Sequence, residues 1–268
     1  LSDTIKTLHV ILRTCDRCNV HVDWRVRFCD MPKIDLIKGC YQSLLNTIAA
    51  VTNHHIKLTV LDDHSSDELK NHIKQVSAHL PDFEFVELPE YGYNYSALKQ
   101  FELCRDTQAD LVYSVEDDYL HQPTALQEMI DSYYLFAAKL EKTAIVLYPF
   151  DAPEEYDPPK HTCFLVHGSA RHWRTGEFTT NVMFAPPEIF RDNWQPFEFL
   201  AKHYNGDYLT PLPEGTMRWG EENTIWNIWN SGRATRFNPV PSLALHLQFD
   251  KQIDPFIDWK KWWDEYTK

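Results

Sequence analysis

Three groups of neighbouring carboxylates are the chemically most suggestive feature of the chain: Asp62-Asp63, Glu116-Asp117-Asp118 and Glu221-Glu222. Adjacent acids repel one another unless water or a cation neutralises them. Carboxylate oxygens are what hard divalent ions such as Mg2+ and Mn2+ prefer, commonly one or two of them together with the phosphates of a substrate. In isolation the Glu116-Asp117-Asp118 triplet reads more simply as an acidic turn facing solvent. Ser65 stands three residues before Glu68, a capping box at a helix start, which accounts for Ser65 and one neighbouring acid. The other acid is free to accept a hydrogen bond from a pyrimidine base or a ribose hydroxyl. Glu221 and Glu222 open an expected helix over 221–229, where acids are favoured by the helix dipole alone.

The surrounding elements give these acids a common address. Leu8–Leu12, Ile56–Leu61, Phe83–Leu88, Leu111–Val115 and Ala144–Tyr148 read as strands. The segments 33–52, 94–105 and 123–139 carry helical spacing between them, as do Leu69, Ile73 and Val76 after the Ser65 cap. Alternating strands and helices predict an α/β fold with a mostly parallel central sheet flanked by helices. Ligands in such sheets collect beyond the carboxyl ends of the strands. Those ends are followed by Arg13-Thr14-Cys15-Asp16-Arg17, by Asp62-Asp63 and by Glu116-Asp117-Asp118. The regularity fades after Asp151: a Pro-rich acidic loop over 151–160 precedes an expected strand at Thr180–Phe184, a short helix after Pro187, and a Trp-rich amphipathic segment, Pro255–Tyr266, expected to pack on the domain.

Composition narrows the function classes. A formal net charge of −13 disfavours nucleic acid, whose binding rests on phosphate neutralisation by Lys and Arg. An acidic protein that holds a diphosphate has reason to recruit a cation. No run of the ~18 apolar residues that a spanning helix needs is present, so no membrane span is expected, and a cytoplasmic location, at most at a membrane surface, is the expectation. The six cysteines show no dense framework and are expected as free thiols, the Cys15/Cys18 pair included.

Leu61-Asp62-Asp63-His64-Ser65-Ser66-Asp67 resembles the V-D-D-x-S-x-D signature of family 2 and related glycosyltransferases of the GT-A fold. Val115-Glu116-Asp117-Asp118 resembles their D-x-D motif at a similar spacing. Tyr91-Gly92-Tyr93-Asn94-Tyr95-Ser96 is similar to the glycine- and asparagine-containing segment that leads into their third helix. The resemblance is good over residues 8–120 and looser over 165–247. It implies one GT-A (Rossmann-like) domain over 1–268, with a nucleotide-sugar-binding half at 1–120 and a smaller acceptor-binding and catalytic half at 121–268. Thr14, Arg17, Asp62, Asp63, Asn94, Glu116, Asp117 and Asp118 would then meet the nucleotide sugar. Asp118 would be the principal ligand of Mn2+ or Mg2+, with Glu116 at the first, normally Asp, position of the motif.

Arg218-Trp219-Gly220-Glu221-Glu222-Asn223 resembles the x-E-D segment of inverting members, which places Glu222 as catalytic base beside Glu221. A sugar hydroxyl is a poor nucleophile, so its attack requires a carboxylate to take the proton. Some GT-A enzymes also bring a C-terminal histidine to the metal, a role that would fall to His246; a lone histidine on an apolar strand is otherwise a core residue. His167, Arg171, His172 and Arg174 are a basic stretch that could meet a diphosphate, Trp219 and Trp173 are candidates for stacking on an acceptor sugar, and the loop around 151–176 is a candidate lid. The implied reaction is metal-dependent, inverting transfer from a UDP- or GDP-type sugar to a saccharide or glycan hydroxyl. The alternatives are a non-catalytic nucleotide- or sugar-binding domain and a sugar nucleotidyltransferase, the latter disfavoured because no glycine-rich loop follows the first strand.

Overall fold

The computed structural model describes residues 6–17, 31–153, 156, 162–176, 181–205, 212–213, 215–247 and 253–267. Cys18, Cys29, residue Thr180 of the expected strand and most of the Pro-rich loop lie outside the described residues. In the first half the order is β1 (Lys6–Thr14), α1 (Lys33–Ala49), β2 (His54–Asp62), α2 (Asp67–Ser77), β3 (Phe83–Glu87), α3 (Tyr93–Asp106) and β4 (Leu111–Glu116). The short β5 (Tyr119–His121), then α4 (Ala125–Leu140), β6 (Ile145–Leu147), β7 (Leu165–His167), β8 (His172–Thr175) and β9 (Met183–Ala185) follow. The remainder is α5 (Glu188–Asp192), α6 (Trp194–His203), a 3-10 turn (Glu221–Asn223), α7 (Trp226–Asn230), β10 (Thr235–Val240), β11 (Ala244–His246) and α8 (Trp259–Tyr266).

The large sheet has nine strands in the order β3-β2-β1-β4-β9-β6-β10-β8-β7. It is mixed rather than mostly parallel. The β3-β2-β1-β4 block is parallel throughout, as the crossover helices require. β9 then runs antiparallel to both β4 and β6, and the β7–β8 hairpin joins antiparallel to β10. The irregular second half supplies strands without the alternating helices that enforce a parallel crossover, which is why the expectation fails there.

Strand alternation sorts β1 onto two cores. Leu8, Val10 and Leu12 face the layer of α1, α2, α4 and α8, and Ile11 faces the layer of α3, α5, α6 and α7. The Trp-rich C-terminal segment packs as expected. Trp259 and Trp263 are buried, and a Cβ at Gly39 of α1 would lie 2.5 Å from the Trp263 ring, so only glycine lets α8 approach this closely. Among the described residues no helix is long and apolar enough to cross a membrane, and Cys15, Cys40, Cys104 and Cys163 are free.

Two expected elements differ in detail. Helix α2 is capped by Ser66, whose side chain accepts from the Leu69 N–H, and not by Ser65. The expected helix over 221–229 is a single 3-10 turn and then the five-residue α7, interrupted at Thr224 (φ −126°, ψ −89°). The Thr224 hydroxyl donates to the Gly220 carbonyl at 2.6 Å, a local bond that competes with continuing the helix. So short a turn carries little dipole with which to stabilise Glu221 or Glu222 as an anion.

Candidate active site

The parallel register brings the strand ends into one row. Thr14 pairs with Asp62 and Asp62 with Glu87, while one step earlier Arg13 pairs with Leu61 on one side and Glu116 on the other. Thr14 ties the two acidic groups together: its carbonyl accepts the Asp63 N–H at 2.9 Å, and its hydroxyl donates to Asp117 Oδ2 at 3.2 Å. Asp63 and Asp117 therefore share one edge of the sheet.

Each carboxylate has a distinct partner. Asp62, buried, accepts from the Ser65 N–H at 3.3 Å, closing the turn before α2. Burial raises its pKa, against these hydrogen bonds. Asp63 accepts from the Gly92 N–H at 3.0 Å and so fixes the entry of α3. Asp117 accepts from the Cys15 N–H at 2.7 Å; burial pushes it up to about 6, with the Lys33 ammonium opposing and Asp118 adding to the shift. Capping and loop closure thus employ more of these acids than the sequence suggests, and each retains further lone pairs.

Asp118 meets a later part of the chain. Its Oδ2 lies 3.4 Å from His246 Nε2, and its carbonyl accepts from the Leu247 N–H at 2.9 Å. His246 arrives on β11, which pairs antiparallel with β5 so that His246 stands opposite Tyr119 and stacks on its ring, centroids 4.7 Å apart and planes at 9°. Two donors bound ~2.1 Å from one ion, at angles near 90–110°, stand ~3.0–3.4 Å apart. The Asp118–His246 separation is compatible with two donors to one divalent ion on that measure.

Glu116 does not join them. It is ion-paired to Arg13, its neighbour on the ladder. An arginine on a buried strand needs a counter-charge, and Glu116 supplies it. Burial works to lower the Arg13 pKa, but Glu116, Tyr93 and Asp117 raise it above the ordinary value. Among the described residues there is no group of three or more His, Cys, Asp or Glu side chains placed to hold a metal.

Glu221 and Glu222 sit half-buried on the 3-10 turn. Burial pushes Glu221 up to about 7, with Glu116 and Glu222 adding to the shift and Arg13 opposing it, which places it within the electrostatic reach of the strand ends. The Glu222 carboxylate folds back over Gly220, where a Cβ would collide with it. Trp219, half-buried beside them, stands edge-on to Phe199 with centroids 4.8 Å apart, and its N–H donates to Asn205.

Other expected positions lie elsewhere. Trp173 is fully buried in β8, edge-on to Phe136, and presents no face to a sugar. Its place on a strand between two neighbours turns it inward. Asn94 donates to the Lys202 carbonyl at 3.3 Å and so joins α3 to α6 rather than facing the acids. Arg17 is exposed at the end of the first described segment. Arg171 is clamped by Glu128 and by the carbonyls of Pro241 and Ser242, and Arg174 by Asp151, so neither is a spare cation for a diphosphate. Of the candidate lid, residues 154–155 and 157–161 lie outside the described residues.

Sequence reasoning named Arg13, Asp16 and Tyr93 only within longer segments, giving none of them a role, and passed over Lys33. The Arg13 guanidinium lies 4.5 Å over the Tyr93 ring, which itself packs on Tyr204. Asp16 accepts from the Ser66 N–H at 2.8 Å, and Lys33 donates to the Cys15 carbonyl. The available signal was a charge at the end of an otherwise apolar strand, which demands a partner.

The profile described as Glycosyl transferase family 2 matches residues 33–186. Solved structures with some likeness include S. aureus TarS 1-349, at 13% identity over 74% of this chain and 56% of that one (TM-score 0.44). The same TarS fragment in complex with UDP-GlcNAc is 13% identical over 73% and 54% (TM-score 0.42). The mannosyltransferase PcManGT from Pyrobaculum calidifontis, in complex with GDP-Man and Mn2+, is 13% identical over 71% and 47% (TM-score 0.41). The chain thus spans about half the length of these proteins. No curated protein matches it.

Proposed function

The chain belongs to glycosyl transferase family 2, and from that premise we propose that it transfers a sugar from a nucleoside-diphosphate donor to a saccharide hydroxyl, with inversion at the anomeric carbon. The observation that most supports this reading is the edge shared by Asp63, Thr14, Asp117 and Asp118, with His246 delivered to Asp118 from the far end of the sequence. The matched region ends before Glu221 and His246, so their roles rest on geometry.

In this reading the nucleotide lies across the carboxyl ends of β1, β2 and β4, beside Thr14 and Asp63. Asp118 and His246 would hold a divalent ion, whose chemistry is to offset negative charge on the departing diphosphate. Asp117 and Asp62 brace the loops that carry these groups. Glu222 takes the proton of the acceptor hydroxyl as it attacks the face opposite the leaving group. Glu221, close to neutral pH in its affinity for a proton, is the positioning neighbour that keeps Glu222 in place. Trp219 offers the acceptor an aromatic wall.

The test is turnover of a panel of UDP- and GDP-sugars with Mn2+ and a mixture of glycan acceptors, comparing the parent with Glu222→Gln and Glu221→Gln. Loss of turnover with retained donor binding in Glu222→Gln supports the assignment. Normal turnover in Glu222→Gln with a dead Glu221→Gln moves the base to Glu221. Donor binding without turnover in the parent protein would leave a nucleotide-sugar-binding domain in place of an enzyme.

A further inference from the structure

The β7–β8 hairpin at the edge of the large sheet carries a pair of histidines that the proposed reaction does not use. His167 and His172 are directly opposite in the antiparallel register, and the turn between them closes with the Gly168 N–H donating to the Arg171 carbonyl at 2.8 Å. Strand alternation turns Val166 and Trp173 into the core and His167 and His172 outward, where both are exposed. Their ring centroids are 4.4 Å apart with planes at 43°. Among the described residues neither ring makes a hydrogen bond or ion pair, so the ring nitrogens face solvent uncommitted.

We propose that His167 and His172 form a surface binding site for a divalent transition-metal ion of imidazole preference, Cu2+ above Zn2+. Imidazole nitrogen binds such ions at ~2.0–2.1 Å and the ring centre lies ~1.1 Å beyond, so two rings at 90° on one ion have centres ~4.5 Å apart, against ~5.2 Å at the tetrahedral angle. The observed 4.4 Å spacing lies nearer the right-angled value than the tetrahedral one, and right angles are the tetragonal preference of Cu2+. Water completes the shell. The hairpin prepays the cost of bringing the ligands together, since cross-strand partners already stand side chain to side chain. The site is independent of the Asp118–His246 pair, whose carboxylate favours harder ions, and does not rest on the proposed transferase activity.

The experiment is a Cu2+ titration of the intact protein under saturating Mg2+, read by electron paramagnetic resonance for nitrogen hyperfine structure. The parent is compared with His167→Ala, His172→Ala and His246→Ala. One equivalent bound with two-nitrogen coordination, weakened at least tenfold in either hairpin variant and unchanged in His246→Ala, is the expected result. Equal binding by the parent and the hairpin variants, or loss that follows His246→Ala, overturns the proposal. Both rings are exposed, so the variants should fold, and circular dichroism checks this. As a second measurement, Cu2+ should protect both histidines from carbethoxylation, located by mass spectrometry; absence of protection at either overturns the proposal as well.

Discussion

His246 Nε2 stands 3.4 Å from Asp118 Oδ2, and the contact is made across two small strands, β5 and β11, that pair outside the large sheet. The stacking of His246 on Tyr119 orients its ring plane, so in the proposed role the donor nitrogen would be aimed in advance. Pre-aimed ligands lose less freedom on binding.

Replacing Asp118 by Asn should abolish Mn2+-supported nucleotide binding and lower turnover by at least ~100-fold, the scale of losing charge stabilisation at a leaving group. His246→Ala should weaken Mn2+ dependence less, by ~10-fold or more, because one donor remains. Calorimetric titration of UDP and GDP with and without Mn2+ measures both. Identical Mn2+ dependence in the parent and Asp118→Asn would remove the ion from the proposed mechanism.

Glu221 gives a stability signature with a definite sign. Its carboxyl is raised from 4.5 to about 7 in the folded protein, so between those values the folded chain keeps a proton that the unfolded chain releases. Stability therefore falls as pH rises from 4.5 to 7, by at most ~3 kcal/mol and less after screening at a half-buried site. Glu221→Gln should melt higher than the parent at pH 8, with the gain shrinking towards pH 5. Denaturation midpoints at the two pH values decide it; an equal gain at both would refute the linkage.

Gly92 has φ 122° and ψ 155°, a region open essentially to glycine alone, and its N–H is held by Asp63. Gly92→Ala should destabilise the fold by ~1–3 kcal/mol. It should also weaken nucleotide binding, because relieving the strained φ shifts the backbone N–H that orients Asp63. Urea melts and a nucleotide titration on the same variant read the two effects separately.

Arg171 supplies a contrast. Its bonds to Glu128 and to the carbonyls of Pro241 and Ser242 join α4, the β7–β8 turn and the chain before β11. Arg171→Ala leaves Glu128 buried without its partner, a loss of ~3 kcal/mol or more. Nucleotide affinity of the fraction that folds should be unchanged. A selective loss of affinity without a change in melting would return Arg171 to the diphosphate.

The acidic groups at the ends of β2 and β4 were readable in the chain because a strand's end and its polar neighbours are local patterns, and a parallel block places such ends side by side. β1 to β4, β6 and the helices α1 to α4 follow from the same short-range periodicities, whereas the three-residue β5 carried no such signal. What each acid does was not readable. Glu116 pairs with Arg13, Asp63 with Gly92 and Asp117 with Cys15, and those choices depend on which strands became neighbours; only the Asp62–Ser65 turn is local. Trp173 shows the same limit: its aromatic face has equal value in a pocket or a core, and only its seat in β8 put it inside.

Taken alone, the sequence determined an α/β protein with carboxylates at adjacent strand ends, since hydrophobic period and polar punctuation act over a few residues. The tertiary structure decided the antiparallel strands of the second half and the arrival of His246 beside Asp118. These are contacts between distant segments, and their energies come from burial and pairing that no local stretch of chain can carry.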